Sequence, residues 1–413
     1  MSGSSSVGAF AVARLPRIVF GHGRIAELPG LVAGFGGLAL LVTGARSFAA
    51  SPAFDSVVSG LSAAGVAWAH VRVAGEPSPE IVDAAVALHR EPPPDVVVGI
   101  GGGSALDAAK AIAGLLRSGT VALDHLEGVG RGVPYLGPAV PFIAVPTTAG
   151  TGSEATKNAV LSGRLPGAAG AGSGAGSGAG SAGPPYKKSF RDDRLVASVA
   201  LVDPDLLAGC PPAVIAGDGM DALTQCLEAY TSTGASPFTD GVARSGLVAL
   251  AGALPAWHVA AVASAAPAAS DLAGMAWGAL ASGIALANAG LGAVHGIVAA
   301  LGAAFPVHHG TGCGILLAET TRANIAALGS RDPSGEALAH YADAGRVLSR
   351  HPGSSDADAR DALISYLVSL TAALGLPRLA EVGVTPAVLP SLVSESRGSS
   401  MRTNPIVLTD PEI

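Results

Sequence analysis

The chain has 413 residues, of which 49% are hydrophobic and 13% charged, with a formal net charge of -7 and a pI near 5.8. That length and composition support two large lobes with a sizeable core and exclude a chain disordered throughout. The acidic balance argues against nucleic acid as a partner.

In chain order, the first half alternates strand-like and helix-like segments. GGLALLVTG (36–44) is an apolar strand ending in a glycine turn. SPAFDSVVSGLSAAG (51–65) has helical periodicity, and VAWAHVRV (66–73) alternates as a strand. SPEIVDAAVALHR (78–90) opens with a Ser cap, a proline at the first helical position and an acid after it, a strong helix start. DVVVGIGGGSALDAAKAIAGLL (95–116) reads as strand, glycine turn and helix, and PFIAVPTTAGTGSEAT (141–156) as a strand running into a Thr/Gly/Ser loop. Such alternation predicts a doubly wound, mostly parallel, Rossmann-like sheet in an N-terminal α/β lobe. SGRLPGAAGAGSGAGSGAGSAGPP (162–185) is a low-complexity Gly/Ala/Ser tract and is expected to form a mobile surface loop of that lobe. After residue 210 the period turns helical, so residues 211–413 are expected to form an all-α C-terminal lobe and residues 1–210 the dinucleotide-binding one.

Between Arg244 and Glu319 the single Asp, Glu, Lys or Arg is Asp271. So long an uncharged run raises a membrane-spanning reading. The run is mostly Ala and Gly, however, and carries Trp257, Asn288, His295, His308 and His309. Small-residue helices packed closely in a buried lobe are expected, with no membrane partner. Cys210, Cys226 and Cys313 have no CxxC spacing and read as reduced thiols of a cytoplasmic chain. The N-terminus MSGSSSVGAFAVARLPR has no basic start followed by a long apolar run, so no signal peptide is expected.

Two loops suit phosphate. In GIGGGSALDAAK, Gly101, Gly102 and Gly103 let the backbone approach a ligand, Ser104 can cap the helix, and the helix N-terminus attracts an anion. The pattern is not GxGxxG, and a plain tight turn explains the glycines equally well. Thr147, Thr148, Thr151 and Ser153 add hydroxyls after a second strand, so the two loops make a dinucleotide crevice plausible. Asp107 and Lys110 read either as a solvated helix face or, for Asp107, as a ribose partner.

These segments, taken in order with VDPDL, GMDALTQCLEAY, GLGAVHGIVAALG…HHG and the closing SMRTNP, resemble the iron-containing (group III) alcohol dehydrogenase family from about Phe20 onward. The resemblance implies an NAD(P)-binding α/β lobe, a helical lobe holding a divalent metal, and an active site between them. It also implies a homo-oligomer acting on a small carbonyl or alcohol substrate. Cofactor contact is carried to Gly101, Gly102, Gly103, Ser104, Asp107, Thr147, Thr148, Thr151, Ser153 and Lys188, with Lys187 as the neighbour to test. NAD-preferring relatives often place an Asp at the position of Gly44. Here the residues are VTGARS, and Arg46 can pair with a 2′-phosphate. NADPH is therefore expected over NADH, the alternative being that Arg46 is an ordinary turn residue.

Of ten histidines, His295, His308 and His309 cluster, with His295 and His309 fourteen residues apart (309 − 295). The resemblance places metal ligands at Asp221, Gln225, His295 and His309. Gln225 departs from the family's His, and Ala299 stands where many relatives carry another His, a role His308 could take in proton transfer. A carboxamide oxygen is a neutral donor and a weaker ligand for Fe²⁺ or Zn²⁺ than imidazole. The sequence thus leaves open metal-assisted hydride transfer, a metal-free reductase of the maleylacetate reductase type with histidine as proton donor, and a cofactor-binding protein without chemistry. A dehydroquinate-synthase-like cyclase is a further alternative, opposed by the lack of Lys and Arg between Arg244 and Glu319.

Overall fold

The computed structural model describes residues 8–165, 183 and 185–413. Its first part runs β1 (Arg17–Phe20), α1 (Leu28–Ala33), β2 (Leu38–Gly44), α2 (Pro52–Ala63), β3 (Ala67–Val73), α3 (Pro79–His89), β4 (Val96–Gly101), α4 (Gly103–Leu115), β5 (Phe142–Pro146), β6 (Asn158–Arg164), β7 (Pro185–Arg191) and β8 (Val199–Val202). The rest is helical: α5 (Pro212–Thr231), α6 (Pro237–Val262), α7 (Ala269–Ala289), α8 (Ala293–Ala304), α9 (His309–Arg331), α10 (Glu336–Ser349), α11 (Asp356–Ala373) and α12 (Leu389–Glu395).

The expected alternation of strand and helix is what forms. The sheet order is β1-β8-β5-β4-β2-β3, and β2 pairs in parallel with both β3 and β4, Leu41 lying beside His70 and Val98. All six residues of β4 are buried, as in a parallel sheet covered on both faces. The predicted cap also forms, with Ser78 Oγ accepting from Ile81 N at 3.4 Å at the start of α3. The cap expected of Ser104 does not. Gly102, with extended backbone (φ -74°, ψ -177°), is the N-cap of α4, and Ser104 lies inside the first turn.

Chain compactness separates two units: Ala26–Val145 with Lys157–Val199, and Met1–Ile25 with Pro146–Thr156 and Ala200–Ile413. The Thr/Gly/Ser loop after β5 therefore belongs with the helical unit. The tract expected to be a mobile loop, 162–185, falls for the most part outside the described residues. Its described ends are strand: β6 and β7 pair antiparallel, with Leu161 opposite Lys188. The flanks are strand because Leu161 and Phe190 are buried in the core of the α/β unit.

Two charges support that hairpin. Asp107 and Lys110 are buried in α4 and are not a solvated helix face. Lys110 Nζ donates to Asn158 O at 2.7 Å, Asp107 Oδ2 accepts from Val160 N at 3.1 Å, and the two side chains lie 3.8 Å apart. The pair thus supplies β6 with a donor and an acceptor that an apolar helix face cannot.

In the helical unit, small residues allow close packing. A Cβ on Gly246 would lie 2.6 Å from Cys226 Sγ, and one on Gly278 would lie 2.5 Å from Leu250 Cδ2. Helices α6 and α7 are long and apolar enough to cross a membrane. Both place large side chains in the core of the unit, among them Leu247, Leu254, Trp257, Met275 and Leu280. All three cysteines are free thiols.

Removing one member of a buried ion pair costs about 3–5 kcal/mol. Lys110→Met should lower the urea midpoint of the α/β unit, followed by circular dichroism. An unchanged midpoint would show that the pair holds nothing in place.

Candidate functional site

Helix α5 begins with a proline in its first turn and is buried from Ile215 to Thr231 apart from Asp218. Asp221 and Gln225 stand one turn apart on it, 2% and 4% exposed. His295 lies in the first turn of α8, His309 opens α9, and Cys313 follows His309 by one turn. Asp221, His295, His309 and Cys313 present ligand atoms that all lie within 4.8 Å of one another. From Asp221 Oδ1 it is 3.3 Å to His295 Nε2, 3.7 Å to His309 Nε2 and 3.6 Å to Cys313 Sγ, and Cys313 Sγ lies 3.9 Å from His295 Nε2.

Backbone contact sets this spacing. A Cβ on Gly310 would lie 2.1 Å from Gly217 O, so α9 lies directly on α5 at the residue after His309. A carboxylate sets the ring of His295. Its Nδ1 donates to Glu228 Oε2 at 2.6 Å, while Glu228 Oε1 accepts from Val294 N at 2.6 Å in the first turn of α8. Glu228 thereby caps a helix and directs His295 Nε2 toward Asp221. A Cβ on Gly292 would strike both Glu228 and Asn404, which explains the glycine before AVH.

The electrostatics follow from burial and neighbours. Burial raises the Asp221 carboxyl, but His309, His295 and the Cys313 thiol outweigh it and hold the group at about 2. For His295, burial works against the charge, and Cys313, Asp221 and Glu228 together raise it well above its ordinary value. Burial pushes the Cys313 thiol up to about 12. Burial also raises Asp218 to about 6, with His308 opposing and Asp221 adding to the rise.

Gln225 behaves differently from the ligand expected there. Its Oε1 accepts from Ser282 Oγ at 2.8 Å, and Ser282 also lies 2.8 Å from Ala279 O. His308, the N-cap of α9, has a 59% exposed side chain and lies 3.9 Å from Asp218 Oδ1. It is thus not one of the four clustered donors. Cys313, Glu228 and Asp218 were not anticipated. The signal for Cys313 was its i, i+4 offset from His309, and that for Glu228 was its place two turns beyond Asp221.

The loop residues stand as follows. Gly101 closes β4 with φ +157°, and a Cβ there would meet that of Ala105 at 2.7 Å. No side chain caps α4, so the N–H groups of Gly103 and Ser104 at its start suit an anion, while that of Ala105 bonds Gly102 O at 3.0 Å. Gly44 ends β2 with open space where a Cβ would go, and Arg46 is exposed. In the helical unit, Thr148 bonds Asp218, Thr147 O accepts from Cys210 Sγ at 3.3 Å, and Thr151 Oγ1 accepts from Ser153 N at 3.3 Å. Lys188 is exposed on β7, whereas Lys187, on the opposite face of that strand, pairs with Glu76 at 2.8 Å. Asp107 is occupied by Val160 N, as described above.

Residues 16–204 match the family described as iron-containing alcohol dehydrogenase, and residues 215–413 that described as Fe-containing alcohol dehydrogenase family, C-terminal. The chain is 31% identical over 380 residues to lactaldehyde reductase of Escherichia coli (strain K12), a match covering 90% of this chain and 89% of that protein. It is 31% identical over 342 residues to alcohol dehydrogenase 4 of Saccharomyces cerevisiae (strain YJM789), covering 82% and 79%. The fold is similar to the crystal structure of 1,3-propanediol oxidoreductase, with a TM-score of 0.82, 28% identity and 98% of each chain covered.

Asp218 gives a pH test of this geometry. A carboxyl whose folded value is raised to about 6 takes up a proton on folding. Its contribution to stability is full below the unfolded value of about 4 and is lost as pH rises through about 6. In urea denaturation of chelator-treated protein between pH 5 and pH 8, Asp218→Asn should remove that decline relative to the parent chain. Parallel pH profiles would place Asp218 in water.

Proposed function

The chain belongs to the iron-containing alcohol dehydrogenase family, and we propose that Asp221, His295 and His309 form the metal-holding part of its active site. It is an oxidoreductase that interconverts a small aldehyde or ketone and its alcohol with a nicotinamide cofactor. The convergence of these three side chains from α5, α8 and α9 carries the metal-assisted reading. One buried carboxylate and two imidazoles are a donor set for a divalent first-row ion. The family context removes the case for the cyclase, and the donor cluster favours metal assistance over a metal-free reductase.

When bound, the ion polarises the carbonyl or stabilises the alkoxide oxygen, and the nicotinamide gives or takes the hydride. The chain's own residues prepare for this. Glu228 fixes the proton on His295 Nδ1, which leaves Nε2 as a donor atom facing Asp221. His308, an exposed imidazole, lies 3.9 Å from the largely buried Asp218 carboxyl, and we assign the two to proton exchange with solvent. The first-turn N–H groups of α4, with Gly101, Gly102, Gly103 and Ser104, are assigned to the cofactor's phosphates. Thr147, Thr148, Thr151 and Ser153 are assigned to further polar contacts with it, and Lys188, free of the Glu76 pairing that occupies Lys187, to its ribose. Asp107 is a positioning residue that holds β6 on α4.

Cofactor choice rests on Gly44 and Arg46. An exposed guanidinium beyond a strand end without a carboxylate favours a 2′-phosphate, hence NADPH. Oxidation of NADPH with a panel of short aldehydes, followed at steady state, should show turnover that falls on chelation and returns with metal. No turnover with any carbonyl, with or without added metal, would refute the reading. Because Gly44 has room for a side chain, Gly44→Asp should move the NADPH/NADH ratio of kcat/KM toward NADH by about tenfold or more, roughly one lost charge-assisted contact. An unchanged ratio would remove the argument from Gly44 and Arg46.

A further inference from the structure

Cys313 is the fourth donor of the cluster and has no part in the reading above. Its Sγ is buried, 3.6 Å from Asp221 Oδ1 and 3.9 Å from His295 Nε2. A tetrahedral ion with bonds of about 2.0–2.2 Å to nitrogen and oxygen and about 2.3 Å to sulfur has donor–donor edges of about 3.3–3.6 Å. Four of the six edges in the protein are 3.3, 3.6, 3.7 and 3.9 Å, near those values, and all six lie within 4.8 Å. The offset of His309 and Cys313 by four residues on α9 puts both on one helix face, toward Asp221.

Gln225 stands in contrast. Its oxygen already accepts from Ser282, whose hydroxyl is fully buried and also lies 3.4 Å from Gly150 O. Its amide oxygen is a neutral donor and a weaker ligand for a divalent first-row ion than a thiolate.

We infer that Cys313, and not Gln225, is the fourth metal ligand of this chain, giving an Asp/His/His/Cys site that prefers zinc to iron. The inference rests on the metal-assisted reading and names the ligand that reading leaves open. As the sulfur–metal bond forms, the Sγ proton leaves to solvent, so loading releases a proton. A soft thiolate shifts the preference of an otherwise hard and borderline donor set toward zinc.

The test is to strip the purified full-length protein with chelator, load it with cobalt(II), and record its absorption alongside elemental analysis. We expect stoichiometric cobalt and a thiolate-to-cobalt charge-transfer band in the near ultraviolet. The band should persist in Gln225→Ala and vanish in Cys313→Ser while visible cobalt bands remain. In competition with a chelator, Cys313→Ser should bind zinc at least about 100-fold more weakly, since losing a ligand costs more than losing a group that orients one. Stoichiometric cobalt without the band in the parent protein would overturn the inference, and this result needs no variant to fold. A band that is lost in Gln225→Ala would overturn it as well. Bound cobalt with the band but no turnover of any carbonyl with NADPH or NADH would support the ligand set and refute the proposed reaction. Failure to bind either ion would overturn the ligand set and the metal-assisted reading, whatever the turnover.

Discussion

The burial of charge in the apolar interior of the helical unit is the constraint on which the rest depends. Helix α5 carries Asp218, Asp221 and Glu228 into an interior built from Ala, Gly, Leu and Val. Each must find compensation there, because an unpaired buried carboxylate is far costlier than a paired one. Asp221 finds it in His295 and His309, Glu228 in His295 and the first turn of α8, and Asp218 in Thr148 and the edge of His308. Glu228 thereby also satisfies a backbone N–H in the first turn of α8. The metal-ligating geometry is thus a by-product of satisfying α5 as much as it is a device for holding an ion.

The α/β unit obeys the same rule on a smaller scale. Asp107 and Lys110 are buried in α4 and serve the backbone of β6, while no side chain caps the start of that helix at Gly103 and Ser104. Charge inside the helix holds structure, and partial charge at its end stays available to a ligand. The separation explains how one helix can brace a hairpin and still offer phosphate-binding N–H groups.

Much of this was legible beforehand, for identifiable reasons. Caps, prolines and glycine turns mark boundaries locally, so 78–90 and 95–116 were readable from neighbours in sequence alone. The low-complexity tract hid the pairing of its flanks, because the partners of β6 and β7 are each other and Leu161 and Phe190 show their burial only in three dimensions. The Ser104 cap does not form because Gly102, in extended conformation, begins the helix two residues earlier (104 − 102) and leaves the serine inside. Asp107 and Lys110 looked solvated because an i, i+3 charge pair gives no sign of what lies above it. Cys313 was overlooked because cysteine ligands are commonly recognised in pairs, and here the partners are a carboxylate and two imidazoles from three helices.

The contact between Gly310 and Gly217 separates the placing of the site from its chemistry. His309 is located by main chain resting on main chain, so any substitution that adds bulk there displaces the whole donor set. Positions 225 and 313, each one turn further along its own helix, are tied by side-chain contacts instead, Gln225 to Ser282 and Cys313 to Asp221, so the residues that fix where the site stands differ from those that set its donor chemistry.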